Sequence, residues 1–221
     1  MKAIKCYNAY VSNNIRTLTY IVYPILVLLA SIMITGLKEN VPGVMGLLIL
    51  VPATTVLINF YVDRITIGPI YSNWGKDEEV MKTSESGMGI FENVMTGDFI
   101  ARTLLGLGVM AEVLLVILIS GKYSGYYEKL FPSALISVLA VHAVSGLMVN
   151  VERTIESMNE AMLIMYAIEF VFVPAIIAVV IGKPAFIYIT CIPYVIIDVL
   201  TIFISNRKIH SLVSDKWFRD Q

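Results

Sequence analysis

Four ionisable side chains interrupt the long apolar stretches of this chain: Glu112, His142, Glu169 and Asp198. An ionised side chain in hydrocarbon costs at least about 2.5–3.5 kcal/mol, so each of these groups is expected to face protein or water. Carboxyl and imidazole groups in such positions can line a hydrophilic path or contact a substrate. They can equally form hydrogen bonds between helices that only fix packing, and the sequence leaves both interpretations open.

A polar stripe surrounds Asp198. Its members recur at spacings of three and four residues and would share one face of a helix: Cys191, Tyr194, Asp198, Thr201 and Ser205. Ala101, Gly108 and Glu112 also share a face, and small residues let neighbouring helices approach closely. Six residues are candidates to line such a hydrophilic path, which in a transporter would be the translocation path: Asp198, Glu169, Tyr194, Thr201, Glu112 and His142.

Six apolar stretches must position these side chains: Leu18–Leu37, Val44–Val62, Phe99–Ser120, Ser133–Val151, Ala161–Ile181 and Ala185–Ile204. A helix that rises about 1.5 Å per residue needs about 20 apolar residues to cross a bilayer core of about 30 Å. A hydrophobic content of 57% and a mean hydropathy of +0.79 agree with this interpretation. The sequence therefore predicts an all-α, polytopic membrane protein with six transmembrane helices, and 1–221 as a single transmembrane domain.

The distribution of positive charge predicts the orientation of the helices. Lys and Arg in short loops resist translocation and stay on the cytoplasmic side. If both termini are cytoplasmic, eleven of the 16 Lys and Arg residues lie inside, four lie outside, and Arg102 stands at the entrance of the third stretch. On this topology Glu169 and Asp198 are expected in the inner third of the membrane, His142 near the middle and Glu112 in the outer half. A bacterial cytoplasmic membrane is the expected location.

Residues 1–16 have an amphipathic pattern. Ile4, Tyr7, Val11 and Ile15 recur at helical spacing and would form one apolar face. The pattern predicts a helix that lies in the membrane interface, with an ordinary polar leader as the alternative. Residues 206–221 are interpreted as a cytoplasmic tail.

The longest connection, residues 64–98, lies between the second and third stretches. It is broken by Gly68-Pro69 and continues with Trp74 and a run of charged residues. We predict a short charged helix, a turn and a second short helix that leads towards the third stretch. Most connections in compact proteins need only a few residues, so this length favours a docking surface for a soluble partner over a solvated connector.

The combination of an N-terminal amphipathic helix, six spans with both ends inside and a charged insertion after the second span resembles a known family. It is similar to the permease subunit of the second exporter class of ATP-binding-cassette transporters, in its small bacterial six-span form. Trp74, the segment Met81-Lys82-Thr83-Ser84 and the segment from Gly97 to Arg102 occupy places comparable to the motifs of that insertion.

The resemblance implies that the insertion from Trp74 to Asp98 docks on a separate ATPase subunit and couples it to transport. The residues assigned to this coupling are Trp74, Lys76, Asp77, Glu78, Glu79, Lys82, Glu85 and Glu92. The expected partners are that ATPase, a second permease subunit that is identical or related, and membrane lipid.

Several other functions are disfavoured by the sequence. It contains no G-x-x-x-x-G-K-[ST] phosphate loop, so ATP is expected to be used by the partner and no cofactor by this chain. Only His142 and His210 are histidines and no His-Glu-x-x-His motif occurs, so neither a metal site nor catalytic residues are predicted. No basic patch interleaved with aromatic residues suggests nucleic acid.

The main alternative is the substrate-binding membrane subunit of a vitamin uptake transporter, which also depends on separate ATPases. Such subunits usually have an A-x-x-x-A spacing on the first span and lack a long charged insertion, and both features disfavour this interpretation here. A structural or regulatory membrane protein without a transport role is a third class that stays open.

Proline residues are predicted to bend or break four spans: Pro24, Pro52, Pro174 and Pro193. The short connection Gly182-Lys183-Pro184 predicts a tight outer hairpin. A split of the fifth or sixth span into re-entrant helices is compatible with this pattern.

Overall fold

The computed structural model describes residues 2–36, 40–66, 87–154 and 183–219, and these ranges contain helices without any β-strand. Seven α-helices are numbered here in chain order: α1 Lys2–Tyr10, α2 Asn13–Thr17, α3 Tyr23–Gly36, α4 Val41–Thr66, α5 Gly87–Ser120, α6 Tyr127–Thr154 and α7 Pro184–Arg219. A π-helical turn at Leu18–Val22 joins α2 to α3, and a 3₁₀ turn at Ser124–Tyr126 precedes α6.

Five helical segments of the described chain are long and apolar enough to cross a membrane: Asn13–Gly36, Val41–Thr66, Glu92–Ser120, Ser124–Leu147 and Pro184–Phe203. The described residues are therefore all-helical, and the chain is a multi-pass membrane protein. The predicted fifth stretch, Ala161–Ile181, lies outside the described residues, so the total of six spans stays a prediction. Which side of the membrane is cytoplasmic is a prediction as well.

Hydrogen bonds between α4 and α6 show that these two helices run in the same direction. Ser137 Oγ donates to the carbonyl oxygen of Leu48 at 2.7 Å, and further along both helices Asn59 Nδ2 donates to Ser145 Oγ at 3.4 Å. Interhelical polar contacts of this kind stabilise helix pairs in lipid, where apolar surface alone gives little preference for protein over lipid.

Some apolar side chains are buried between the helices, and others lie on the outer surface, where they can contact lipid. Val56, Ile136 and Ile187 are buried where α4, α6 and α7 meet. Met33 and Ile119, by contrast, are 72% and 83% exposed. Large exposed apolar side chains of this kind would be unfavourable in water and are ordinary on a lipid-facing surface.

The N-terminal segment forms two helices rather than the single interfacial helix that was predicted. The helix breaks after Tyr10, and Ser12 caps α2 by accepting a hydrogen bond from the Ile15 backbone N–H at 3.4 Å. Tyr7 and Val11, on the predicted apolar face, are buried in one cluster with Val94 of α5. Part of the apolar face therefore packs against protein, and the location of this segment at the membrane interface stays a prediction.

Helix α5 is continuous over 34 residues. The second short helix that was predicted within the insertion is therefore the first part of α5 and not a separate element. The helix ends at Gly121, whose φ of 64° is in the left-handed region that glycine adopts without steric cost. Gly121 N–H donates to the carbonyl oxygen of Leu118 at 3.1 Å and closes this end.

Prolines do not split the described helices. Pro52 and Pro193 lie inside α4 and α7, which continue on both sides of them. Pro24 lies inside the continuous helical segment Asn13–Gly36, just after the π-helical turn, where its nitrogen has no hydrogen to donate. The last membrane helix is therefore not divided into re-entrant parts, and α7 extends through most of the predicted tail. Pro174 lies outside the described residues.

Lys122 holds the end of α3 to the turn that follows α5. Its Nζ donates to the carbonyl oxygens of Thr35 at 3.1 Å and Gly36 at 3.2 Å. These carbonyls belong to the last turn of α3 and lack intrahelical partners, and a positive charge there also interacts favourably with the helix dipole. Lys122, which lies in the connection between α5 and α6, thus caps the C-terminal end of α3.

Lys122→Met is expected to lower the free energy of unfolding by about 1 kcal/mol, a value reduced by the exposure of the lysine to solvent. Lys129→Met removes an exposed lysine from the same region and serves as the control. Both variants can be compared with the unsubstituted chain by unfolding in mixed micelles, followed by circular dichroism. Equal stability of the two variants would contradict the capping role.

Candidate functional site

A hydrogen-bonded chain of polar side chains crosses three helices. His142 Nδ1 of α6 shares a hydrogen bond of 2.9 Å with Asp198 Oδ1 of α7, and His142 Nε2 lies 3.0 Å from Thr103 Oγ1 of α5. The imidazole and the ring of Phe99 pack in a T-shaped arrangement, with ring centroids 5.2 Å apart and an interplanar angle of 80°. Asp198 is buried and His142 is half-buried, so the chain lies inside the helix assembly. We call His142, Asp198 and Thr103 the central site.

His142 and Asp198 meet because they lie at similar distances from the starts of their helices. Helix α6 begins at Tyr127 and α7 begins at Pro184, fifteen and fourteen residues before the paired side chains. At about 1.5 Å per residue both side chains lie about 21–23 Å from the start of their helices. The sequence-based estimate, which placed His142 near the middle and Asp198 deeper, was wrong because it began the fourth span at Ser133.

The hydroxyl of Thr103 has two hydrogen-bond partners within reach. Its Oγ1 lies 2.9 Å from the carbonyl oxygen of Phe99, to which it can donate, and 3.0 Å from His142 Nε2. When the hydroxyl donates to the Phe99 carbonyl, its oxygen can still accept from an Nε2–H. Rotation of this hydroxyl therefore changes the hydrogen bond that joins α5 to α6.

Close packing of α6 and α7 holds the central site together. A Cβ atom on Gly146 would collide with Thr201, so glycine is required where these helices approach. The contact lies one turn beyond the pair of His142 and Asp198 in both helices, which therefore run parallel. Tyr194 and Thr201 are buried along with Asp198, so the predicted polar stripe of α7 faces protein over these positions.

A second polar cluster lies one turn away along α5. Arg102 forms an ion pair with Asp98 one turn earlier in the helix, and its Nη2 is 3.9 Å from Asp63 Oδ1 of α4. The side chains of Asp63, Asp98 and Arg102 are 1%, 0% and 10% exposed. Two buried carboxyl groups thus share one guanidinium, and removal of Arg102 would leave both of them without this partner.

Tyr7 of α1 closes the second cluster. Its hydroxyl shares a hydrogen bond of 3.1 Å with the hydroxyl of Tyr20. Burial raises the pKa of the Tyr7 phenol, and the negative charge of Asp98 raises this pKa further. Tyr7 therefore stays neutral and keeps its hydroxyl proton for hydrogen bonding at every physiological pH.

The structure groups some predicted site residues and separates others. Asp198, His142, Tyr194 and Thr201 lie together. Glu112 does not join them: it lies nine residues, or two and a half turns, beyond Thr103 and so on the opposite face of α5. Glu92 lies near the start of α5 and is half-buried. The remaining predicted residues lie outside the described part of the chain: Glu169, Trp74, Lys76, Asp77, Glu78, Glu79, Lys82 and Glu85.

Sequence reasoning missed four polar residues of the two clusters: Thr103, Asp63, Asp98 and Arg102. A signal was present, because Asn59 and Asp63, and likewise Asp98 and Arg102, are spaced four apart and share a helix face. The signal was overlooked because Asp63 and Asp98 were assigned to the ends of the insertion. Both are instead buried within membrane-spanning helices.

Comparisons with protein-family models, with curated proteins and with solved structures find no match to this chain. The resemblance to exporter permeases therefore stays a prediction that depends on architecture. Among the described residues, no group of three His, Cys, Asp or Glu side chains is placed to hold a metal ion. The chemistry of the central site is that of a buried carboxylate, an imidazole and a hydroxyl, which can exchange a proton or bind a polar group.

Proposed function

We propose that this chain is the membrane subunit of an ATP-driven exporter. A separate ATPase docks on the insertion from Trp74 to Asp98, and its motion shifts the helices around the central site. The observation that carries this proposal is the continuity of α5, which begins within the insertion and reaches Thr103 without a break. Gly87 and Thr103 are sixteen residues apart, so a displacement at the start of α5 is transmitted over about 24 Å.

The contacts of α5 with α1, α4 and α6 support the proposal that α5 transmits motion from the insertion. The N-terminal helix α1 packs on α5 so closely that a Cβ atom on Gly97 would collide with the backbone of Ala3. Arg102 ties α5 to α4 through Asp63, and Thr103 ties it to α6 through His142. A tilt of α5 must break or exchange these polar contacts together, which is the behaviour of an element with two discrete positions.

The proposal also covers the expected partners. ATP is bound by the ATPase and not by this chain, and a second permease subunit, identical or related, completes the pathway. The central site, together with Tyr194 and Thr201, lines the route in a bacterial cytoplasmic membrane. The chain itself has no enzymatic role in this scheme.

Docking of the ATPase can be tested by replacement of Lys76–Lys82 with a Gly/Ser linker of equal length. We expect the tagged variant, purified in mild detergent, to recover at least about tenfold less of an ATPase that carries a phosphate loop, since several charged contacts worth roughly 1 kcal/mol each would be lost. The double variant Lys2→Ser/Lys5→Ser removes two exposed charges from α1 and is expected to recover the ATPase normally. Mass spectrometry identifies and quantifies the recovered proteins.

Three results would change the proposal. Equal recovery from the linker variant and the unsubstituted chain would contradict docking on the insertion. Recovery of the ATPase together with a further large membrane protein would favour the vitamin uptake subunit. Recovery of no ATPase by an intact, folded chain would contradict both transport functions.

A further inference from the structure

A cavity of about 390 Å³ lies on the face of α5 that is opposite the central site. Its walls come from α1, from the start of the first membrane segment and from α5, and the residues that the argument uses are Asn8, Tyr20, Pro24, Ala101, Gly108 and Glu112. The volume lies within the range of sites for small organic ligands, about 300–1,000 Å³. All lining residues belong to the described part of the chain.

Small residues of α5 create this space. Ala101 and Gly108 lie two turns apart on the cavity face, and a Cβ atom built on Gly108 would meet no atom within 4 Å. The wall opposite α5 contains Pro24 and the π-helical turn before it, which make the helix surface irregular there. Gly108 and Leu104 are exposed, so the cavity is reached sideways from the bilayer.

Glu112 supplies the polar end of the cavity. Its Oε2 atom is buried and has no hydrogen-bond partner among the described residues. A carboxyl oxygen at membrane depth without a donor is costly, and intramembrane carboxyl groups of this kind pair with a cation or mark a ligand pathway. Nothing in the proposed ATPase coupling or in the central site uses this group.

The remaining walls are mostly apolar and elongated. Ala101 and Glu112 are eleven residues apart, so the cavity follows α5 for about 16 Å. Leu104, Leu105 and Val109 line this length. A ligand that fits both the Glu112 carboxyl group and the apolar walls has a positively charged hydrogen-bond donor at one end. The rest of this ligand is a single apolar chain.

We propose that this cavity binds a primary alkylammonium ion, with its ammonium group on Glu112 and its alkyl chain along Ala101, Leu105 and Gly108. An ammonium group supplies both the opposite charge and the N–H donors that Oε2 lacks, and such charge-assisted hydrogen bonds are about twice as strong as neutral ones. An alcohol of the same length supplies a donor without charge, and a fatty acid supplies a charge of the wrong sign. The site requires no ATPase and is independent of the proposed function.

Binding can be measured on the purified full-length chain in lipid nanodiscs at neutral pH, with radiolabelled n-decylamine as the probe and empty nanodiscs to correct for partition into lipid. Glu112→Gln is expected to raise the Kd roughly tenfold, the loss of one charge-assisted hydrogen bond. Glu128→Gln removes an exposed carboxylate outside the cavity and is expected to leave the Kd unchanged. Radiolabelled n-decanol is expected to bind the unsubstituted chain roughly tenfold more weakly than n-decylamine.

Gly108→Phe provides a second test, because it fills the cavity and leaves the carboxyl group in place. We expect it to abolish saturable n-decylamine binding even if Glu112→Gln does not fold. Unchanged binding in Gly108→Phe, or equal binding in Glu112→Gln and the unsubstituted chain, would overturn the proposal. Equal affinity for n-decanol and n-decylamine would also overturn it and identify the cavity as an acyl-chain site. None of these results affects the recovery of an ATPase, so the two proposals fail separately.

Discussion

On the proposed coupling, Asp198→Asn is expected to lower ATP hydrolysis by the chain reconstituted with its proposed ATPase roughly tenfold, while the chain still folds in the membrane. Asparagine keeps the size of the side chain, but the hydrogen bond between the carboxyl group and His142 Nδ1 becomes a weaker bond to a neutral amide. Weakening of this contact between α6 and α7 corresponds to about 1–1.5 kcal/mol, or roughly tenfold.

A matched substitution separates this effect from a general loss of polarity in α7. Thr190→Val lies in the same helix, two turns before Asp198, and removes a hydroxyl that only donates to the carbonyl oxygen of Phe186 in its own helix. This variant is expected to hydrolyse ATP at the unsubstituted rate. A complex with Asp198→Asn that is fully active would return Asp198 to a role in packing alone.

The free energy of unfolding tests whether His142 and Asp198 interact in the folded chain. A double-mutant cycle with Asp198→Asn and His142→Gln is expected to give a coupling of about 1–2 kcal/mol in the free energy of unfolding, because the two side chains are in direct contact. A coupling indistinguishable from zero would mean that the two groups do not interact in the folded chain. This measurement needs neither the ATPase nor a substrate.

Gly97→Ala is expected to lower the free energy of unfolding by about 1–3 kcal/mol and to loosen α1 from α5. A Cβ atom at this position would collide with the carbonyl of Ala3 and with Tyr7, and a backbone atom cannot move aside as the end of a flexible side chain can. The displacement would pull Tyr7 away from Tyr20 and from the neighbourhood of Asp98. A single methyl group thus tests whether α1 and α5 form one unit.

Cys6 reports directly on the position of α1. It is half-buried against the cluster that joins α1 to α5, whereas Cys191, the other free cysteine, is buried in α7. Labelling of Cys6 by a maleimide, assigned by mass spectrometry, is expected to be several-fold faster in Gly97→Ala. Gly89→Ala is the control, since a Cβ atom there meets nothing within 4 Å on the same helix. Unchanged stability and labelling in Gly97→Ala would contradict the close packing of α1 on α5.

Long apolar stretches determined the class of this protein from the sequence alone. Chain length per span is set by membrane thickness, and every backbone polar group in lipid must be satisfied within a helix, so hydropathy suffices to predict a multi-pass helical protein. The spacing of Tyr194, Asp198 and Thr201 likewise placed them on one face, and the structure buries all three. These features depend only on local periodicity.

Only the tertiary structure decided which neighbour covers each face. Helix starts at Tyr127 and Pro184 brought His142 and Asp198 to the same depth, and this register is not visible in hydropathy. Glu112 faces away from them because nine residues turn a helix to its opposite side, although both faces of α5 look equally apolar in sequence. The apolar face of α1 could be covered by lipid or by protein, since both are apolar. The close approach of Ala3 and Tyr7 to Gly97 shows that protein covers part of this face. Periodicity identifies a buried face, and only packing identifies its partner.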